Sequence, residues 1–145
     1  MLILSRSGQS KARELELHAS AGIAAINAAV DQARRRYITP IAGQDMIYRE
    51  KQAEAERFLA LDPVPDAESL DPGVFPFIAA ESHATGQTPQ EVAALFERLA
   101  AEWRQLGAQM EALRIGAIAR VRAAAGPADI DAAVAEVVAL LEGLS

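Results

Sequence analysis

Few residues in this chain have the types and spacing that chemistry needs. Glu81 and His83 are acid–histidine neighbours, but two positions apart on a helix they face different sides. No second histidine or thiol stands near them, so His83 reads as a helix-end residue close to Gly86. His18 sits among Leu15, Leu17 and Ala19 and reads as a partly buried or interface imidazole, with pH sensing as its other use. The chain has no cysteine, which excludes a thiolate nucleophile, a disulfide framework and a Cys-ligated metal. None of the serines occupies a nucleophile elbow, and Gly8, Gly22, Gly43 and Gly73 form no phosphate loop. Asp62, Asp66, Glu68 and Asp71 offer oxygens to a cation, yet their spacing lacks the calcium-loop pattern, so solvated charge is their reading. Arg34, Arg35 and Arg36 suit the negative end of a helix, with phosphate binding as the alternative. No catalytic, metal or cofactor-binding residue is expected, and no enzyme.

The elements that carry these residues follow from composition. Of 145 residues, 32 are alanine, the best helix former and a residue that buries little area. The composition therefore predicts helices with a thin core, one that needs close helix contact or a partner. The net charge of −6 argues against sequence-independent nucleic-acid binding. No apolar run is long enough for a membrane span, and MLILSRSGQS is too short for a signal-peptide core. No small-molecule ligand is indicated.

We expect an all-α protein: one domain of about five helices, one of them very long. Residues 1–9 read as a short extended docking tail, because Met1 to Leu4 are all apolar and periodicity cannot decide them. A first helix spans 10–36 and is stopped by Thr39-Pro40, with Gly43 closing the connection. A second spans 44–60. Residues 61–74 carry three prolines, four acids and a glycine, and read as a loop too polar to order strongly by itself. A short helix over 75–85 ends at Gly86. Thr88-Pro89-Gln90-Glu91 is the strongest local signal: an N-cap, a proline suited to the first turn, and a glutamate that returns a hydrogen bond. It opens the long helix, about 88–125. Gly126-Pro127 then folds a last helix back antiparallel, making 88–144 a helical hairpin.

Two of these helices carry heptad-like seams. The first runs Ala12, Leu15, Ala19, Ile23, Ile26, Val30, Ala33, Tyr37; the second runs Val92, Leu95, Leu99, Trp103, Leu106, Met110, Leu113, Ala117, Val121, Ala124. Gly107 and Gly116 lie within the second and mark a close approach or a bend. Trp103 reads as core rather than as a platform for a ligand. Such stripes serve either an intramolecular bundle or a partner. The candidate partner-binding residues are Ile23, Ile26, Val30, Tyr37, Leu99, Trp103, Leu106 and Met110.

Several segments carry a resemblance. RYITPIAGQDMIYREKQAEAERFLA (36–60), FPFIAAESHATGQTPQEVAALF (75–96), WRQLGAQMEALRIGAIA (103–119) and PADIDAAV (127–134) resemble blocks of phage and prophage tail-associated, tail-fibre-assembly-like domains. The likeness covers residues 34–140 and rests mostly on turn and packing residues. It implies a virion or virion-assembly role without catalysis, in the phage tail or in the host cytoplasm during assembly, with other tail proteins or further copies of itself as partners. It carries over no catalytic residue. Related proteins often have a longer β-rich region ahead of this block, which leaves a transient chaperone and a retained component both open. The alternative is an acidic host-directed inhibitor or binding module, which predicts salt-sensitive binding to a basic protein.

Overall fold

The computed structural model describes residues 2–38 and 44–144, with side chains from Gly8 onward in the first segment. Among these it is all-helical: α1 (Leu2–Arg34), α2 (Gln44–Leu59), α3 (Pro76–Thr85), α4 (Pro89–Arg122) and α5 (Pro127–Glu142). The expected extended segment at 1–9 is corrected: the described residues from Leu2 onward are already helical. Three consecutive apolar residues suit either state, and here the helix that follows sets their backbone. The stop at Thr39-Pro40 and the Gly43 connection lie outside the described residues.

Read from sequence as one domain, the chain groups by contacts into two compact units. Unit 1 is Met1–Ile38 with Leu106–Ser145, and unit 2 is Thr39–Gln105. The division falls inside α4, not at the proline- and acid-rich loop.

Unit 1 is a three-helix arrangement of α1, α5 and the second half of α4. The hairpin through Gly126-Pro127 is present, and α4 packs against α5 with an Arg120–Glu136 ion pair between them. Side-chain pairs fix the directions. Asn27 and Arg34 of α1 meet Arg114 and Glu111 of α4, so these two helices are antiparallel. His18 of α1 and Arg36, just past its end, meet Asp131 and the Leu141 carbonyl of α5, so these two helices are parallel. Ile26, Val30, Ala33, Met110, Ala117, Ile118, Val121, Ile130, Ala133, Val137 and Leu141 are buried. This core is made of small and aliphatic residues, so close approach has to substitute for bulk. Gly22 permits it. A Cβ there would stand 2.8 Å from Ile130 Cγ2 and 3.4 Å from Val134 Cγ2. Gly116, expected at a close approach, has nothing within 4 Å of such a Cβ.

Unit 2 is built from α2, the loop after it, α3 and the first half of α4. Its core holds Ala55, Phe58, Phe75, Ile78, Val92, Ala93 and Phe96. Phe58 and Phe75 meet edge to face, with ring centroids 5.3 Å apart, a geometry that aromatic quadrupoles favour. The sequence signals at the helix ends are realised. Thr88 and Glu91 form the reciprocal capping box, and Gly86 adopts a left-handed conformation, φ 74°, closing α3 onto the Ser82 carbonyl.

The 61–74 loop is better ordered than its composition suggests. Asp66 Oδ1 accepts from the Ser69 amide, the Ser69 hydroxyl and the Glu68 amide, while Val64 and Leu70 pack on the core. A local polar turn and two apolar anchors do what the segment's average polarity could not.

Candidate functional site

The eight residues proposed as a partner surface separate into three groups. Ile26, Val30 and Met110 are at most 1 % exposed and belong to the core of unit 1. In this fold they offer nothing to a partner, because the heptad rhythm that singled them out is also the rhythm by which a helix buries its own seam. Ile23, Trp103 and Leu106 are half-buried. Leu99, 50 % exposed on α4, and Tyr37, 38 % exposed, reach solvent.

Tyr37 has an intramolecular task. Its hydroxyl donates to the Leu144 carbonyl at 2.9 Å, and the Arg36 guanidinium lies over its ring. Arg36 itself donates to the Leu141 carbonyl beyond the last turn of α1. The parallel arrangement explains this. α1 and α5 bring their carbonyl ends side by side, so two partial negative charges add. Arg34, Arg35 and Arg36 all stand there: Arg34 meets Glu111, Arg35 meets Asp31, and Arg36 caps α5. The triple arginine serves the end of another helix as well as its own.

Sequence reasoning missed Leu17 on α1, 64 % exposed, together with Ile115 and Leu140. Among the described residues these are the large aliphatic side chains that unit 1 leaves in water. They stand off the seams, so a search for stripes passes over them. It also missed Glu54, the one buried charged residue among those described. Phe75 provides no side-chain cap for α3. Glu54, on α2, supplies the missing acceptors: the Ile78 amide donates to Oε1 at 2.7 Å and the Phe77 amide to Oε2 at 3.2 Å. An acid in the middle of a wet-looking helix carries no sequence sign that it caps a different helix.

Several of the remaining titratable groups form structural pairs. Lys51 reaches Glu81 at 2.9 Å and also lies over the Phe96 ring, so Glu81 pairs with a lysine rather than with His83. His18 Nε2 donates to Asp131 Oδ1 at 2.7 Å. Hydrogen bonds from the Ser69 amide and hydroxyl hold the Asp66 carboxyl below its usual range. The Arg114 hydrogen bond lowers Glu111 and raises Arg114 in turn. Among the described residues no group of three metal-ligating side chains comes together, and no helix is long and apolar enough to cross a membrane.

No family model, curated protein or solved structure matches the chain. What the geometry offers is therefore read from the molecule itself: exposed leucines on long helices, and a strong division of charge. Unit 2 holds twelve acids against five cations, whereas residues 1–13 hold Arg6, Lys11 and Arg13 and no acid.

Proposed function

We propose that the chain is a non-enzymatic structural or assembly protein of a bacteriophage tail, acting by helix-mediated packing on other tail proteins or on copies of itself. The phage context comes from the resemblance of residues 34–140. The observation that supports a packing role is the placement of Leu17 and Leu99. Both are at least half exposed on the two longest helices. Apolar anchors of that size on a rigid helix are what an interface uses. The place of action is the virion or the host cytoplasm during assembly.

The test is the solution mass of the purified chain by light scattering, across concentrations and at two salt levels. We expect species larger than one chain. A strict monomer at every concentration overturns the self-packing part of the reading. A second reading, an acidic module directed at a basic host protein, is favoured by the acid excess of unit 2. It predicts a chain that does not self-associate and that is retained on a basic column until moderate salt.

A further inference from the structure

We infer that residues 97–109, the middle of α4, are a yielding joint: this stretch opens locally while the cores at both of its ends stay folded, with Gly107 its weakest position. One helix here serves two cores, and the joint keeps them uncoupled.

Packing changes along α4. Val92, Ala93 and Phe96 are buried in unit 2, and Met110, Ala117, Ile118 and Val121 in unit 1. Between Phe96 and Met110 lie thirteen residues, none of them buried; Ala100, Trp103, Leu106 and Gly107 are half-buried and the other nine exposed. Elsewhere on α4 at most six residues separate one buried residue from the next. The division into two compact units, between Gln105 and Leu106, falls inside this stretch. Side-chain bonds avoid it too. On α4 none falls between the capping box of Thr88 with Glu91 and the Glu111–Arg114 pair. Arg98 and Glu102 stand one turn apart but form no ion pair, and neither Glu97 nor Arg104 joins one.

Propensity and the backbone ladder are thus what hold 97–109 helical. All of these residues except Trp103 and Gly107 are strong helix formers, so the stretch is helical in the folded chain and still presents Leu99. A helix of this length is marginal in water when little packs on it. Glycine favours opening about fivefold over alanine at an interior position, which makes Gly107 the weak point. Few buried contacts and solvent-exposed backbone hydrogen bonds mark the low-stability end of a structure. Opening here is a minor excursion that needs neither core to break. Loss of one core is then not carried along α4 to the other, because the joint yields first.

Native-state hydrogen exchange on the full chain tests this, with residue-resolved rates corrected for intrinsic exchange. We expect the amides of 101–109 to exchange about tenfold or more faster than those of 96–97 and 117–121. Low denaturant should hardly accelerate them, because a local opening exposes little surface. Ala101→Gly and Ala108→Gly, both at exposed positions, should each raise exchange at 101–109 about a further fivefold and leave 117–121 unchanged. Circular dichroism first establishes that each variant keeps its fold; should one fail to, the wild-type profile decides alone. Equal protection along the whole of α4 in the wild type, whether slow or fast, overturns the joint. So does a variant that speeds exchange at 101–109 and at 117–121 by the same factor, because the stretch then opens only when the units do.

Discussion

Unit 2 closes around rings, and unit 1 closes around the absence of a side chain. In unit 2, Phe58, Phe75 and Phe96 fill the space between helices, and the buried Glu54 ties α2 to the start of α3. In unit 1 the largest fully buried residues are aliphatic, and α1 meets α5 where Gly22 lets Ile130 come close. The first arrangement gains stability by area removed from water; the second depends on fit, so a single methyl group matters. The two units should therefore fail differently when changed.

The largest effect is expected from Phe58→Ala. The ring is fully buried and touches Phe75, so its loss removes apolar area and leaves a cavity, at a cost of about 3–5 kcal/mol. Urea titration with hydrogen exchange should show unit 2 amides losing protection first. Next comes Glu54→Gln, which keeps the shape but turns one acceptor oxygen into a donor against the amides of α3. An unsatisfied buried amide costs about 1–3 kcal/mol. The same exchange measurement should show α3 opening while α5 stays protected, and uniform loss across both units would contradict the cap assigned to Glu54.

Gly22 and Gly116 sharpen the comparison from the other side. Both are helical glycines, and replacement by alanine raises helix propensity by up to about 1 kcal/mol at each. At Gly116 the new methyl meets open space, so Gly116→Ala should raise the melting temperature. At Gly22 the methyl meets the branched Ile130 side chain, whose χ1 is stiff in a helix, and overpacking of this kind costs about 1–3 kcal/mol. Gly22→Ala should therefore lower stability despite the better helix former. A stabilised Gly22→Ala chain would mean that α1 and α5 have room to separate.

How far the sequence reaches is visible in these same residues. Helix existence was legible wherever a local device announces it: Thr88 with Glu91, Gly126-Pro127 between two helices, Gly86 at an end. The seams were legible as buried stripes, since Ile26, Val30, Met110, Ala117 and Val121 all lie in the core. What was not legible is what depends on three dimensions. Gly22 is one glycine among nine until α5 is laid beside it. Glu54 looks like any acid on a wet face until α3 is placed across it. Ile26, Val30 and Met110 were placed on the interaction surface for a related reason: periodicity finds the side of a helix that is apolar, and at these three positions the fold uses that side on itself. Of the residues it leaves exposed, Leu17 breaks the rhythm, whereas Leu99 stands on the seam.

The smallest expected effect separates the units by the kind of electrostatics each uses. Asp66 in unit 2 and Glu111 in unit 1 both have carboxyls held below their ordinary range. A depressed folded pKa means that the group contributes stability above its unfolded pKa, about 4, and loses it as pH falls through the folded value. Both sites lie at the surface, so the acid limb of the melting curve should steepen only slightly below pH 4 in each case. Their causes differ, however. Asp66 is held mainly by the Ser69 amide and hydroxyl, which are fixed dipoles at hydrogen-bond distance. Glu111 is held first by its hydrogen bond to Arg114, with the positive charges of Arg114 and Arg34 adding to it. Salt screens full charges on exposed side chains but leaves short hydrogen bonds to backbone amides nearly intact. In ~1 M salt the difference in acid stability between wild type and Glu111→Gln should shrink, whereas that between wild type and Asp66→Asn should persist. Equal salt responses would mean that the 61–74 turn is held by charge rather than by its amides, and the reading of that loop as locally self-ordered would fall.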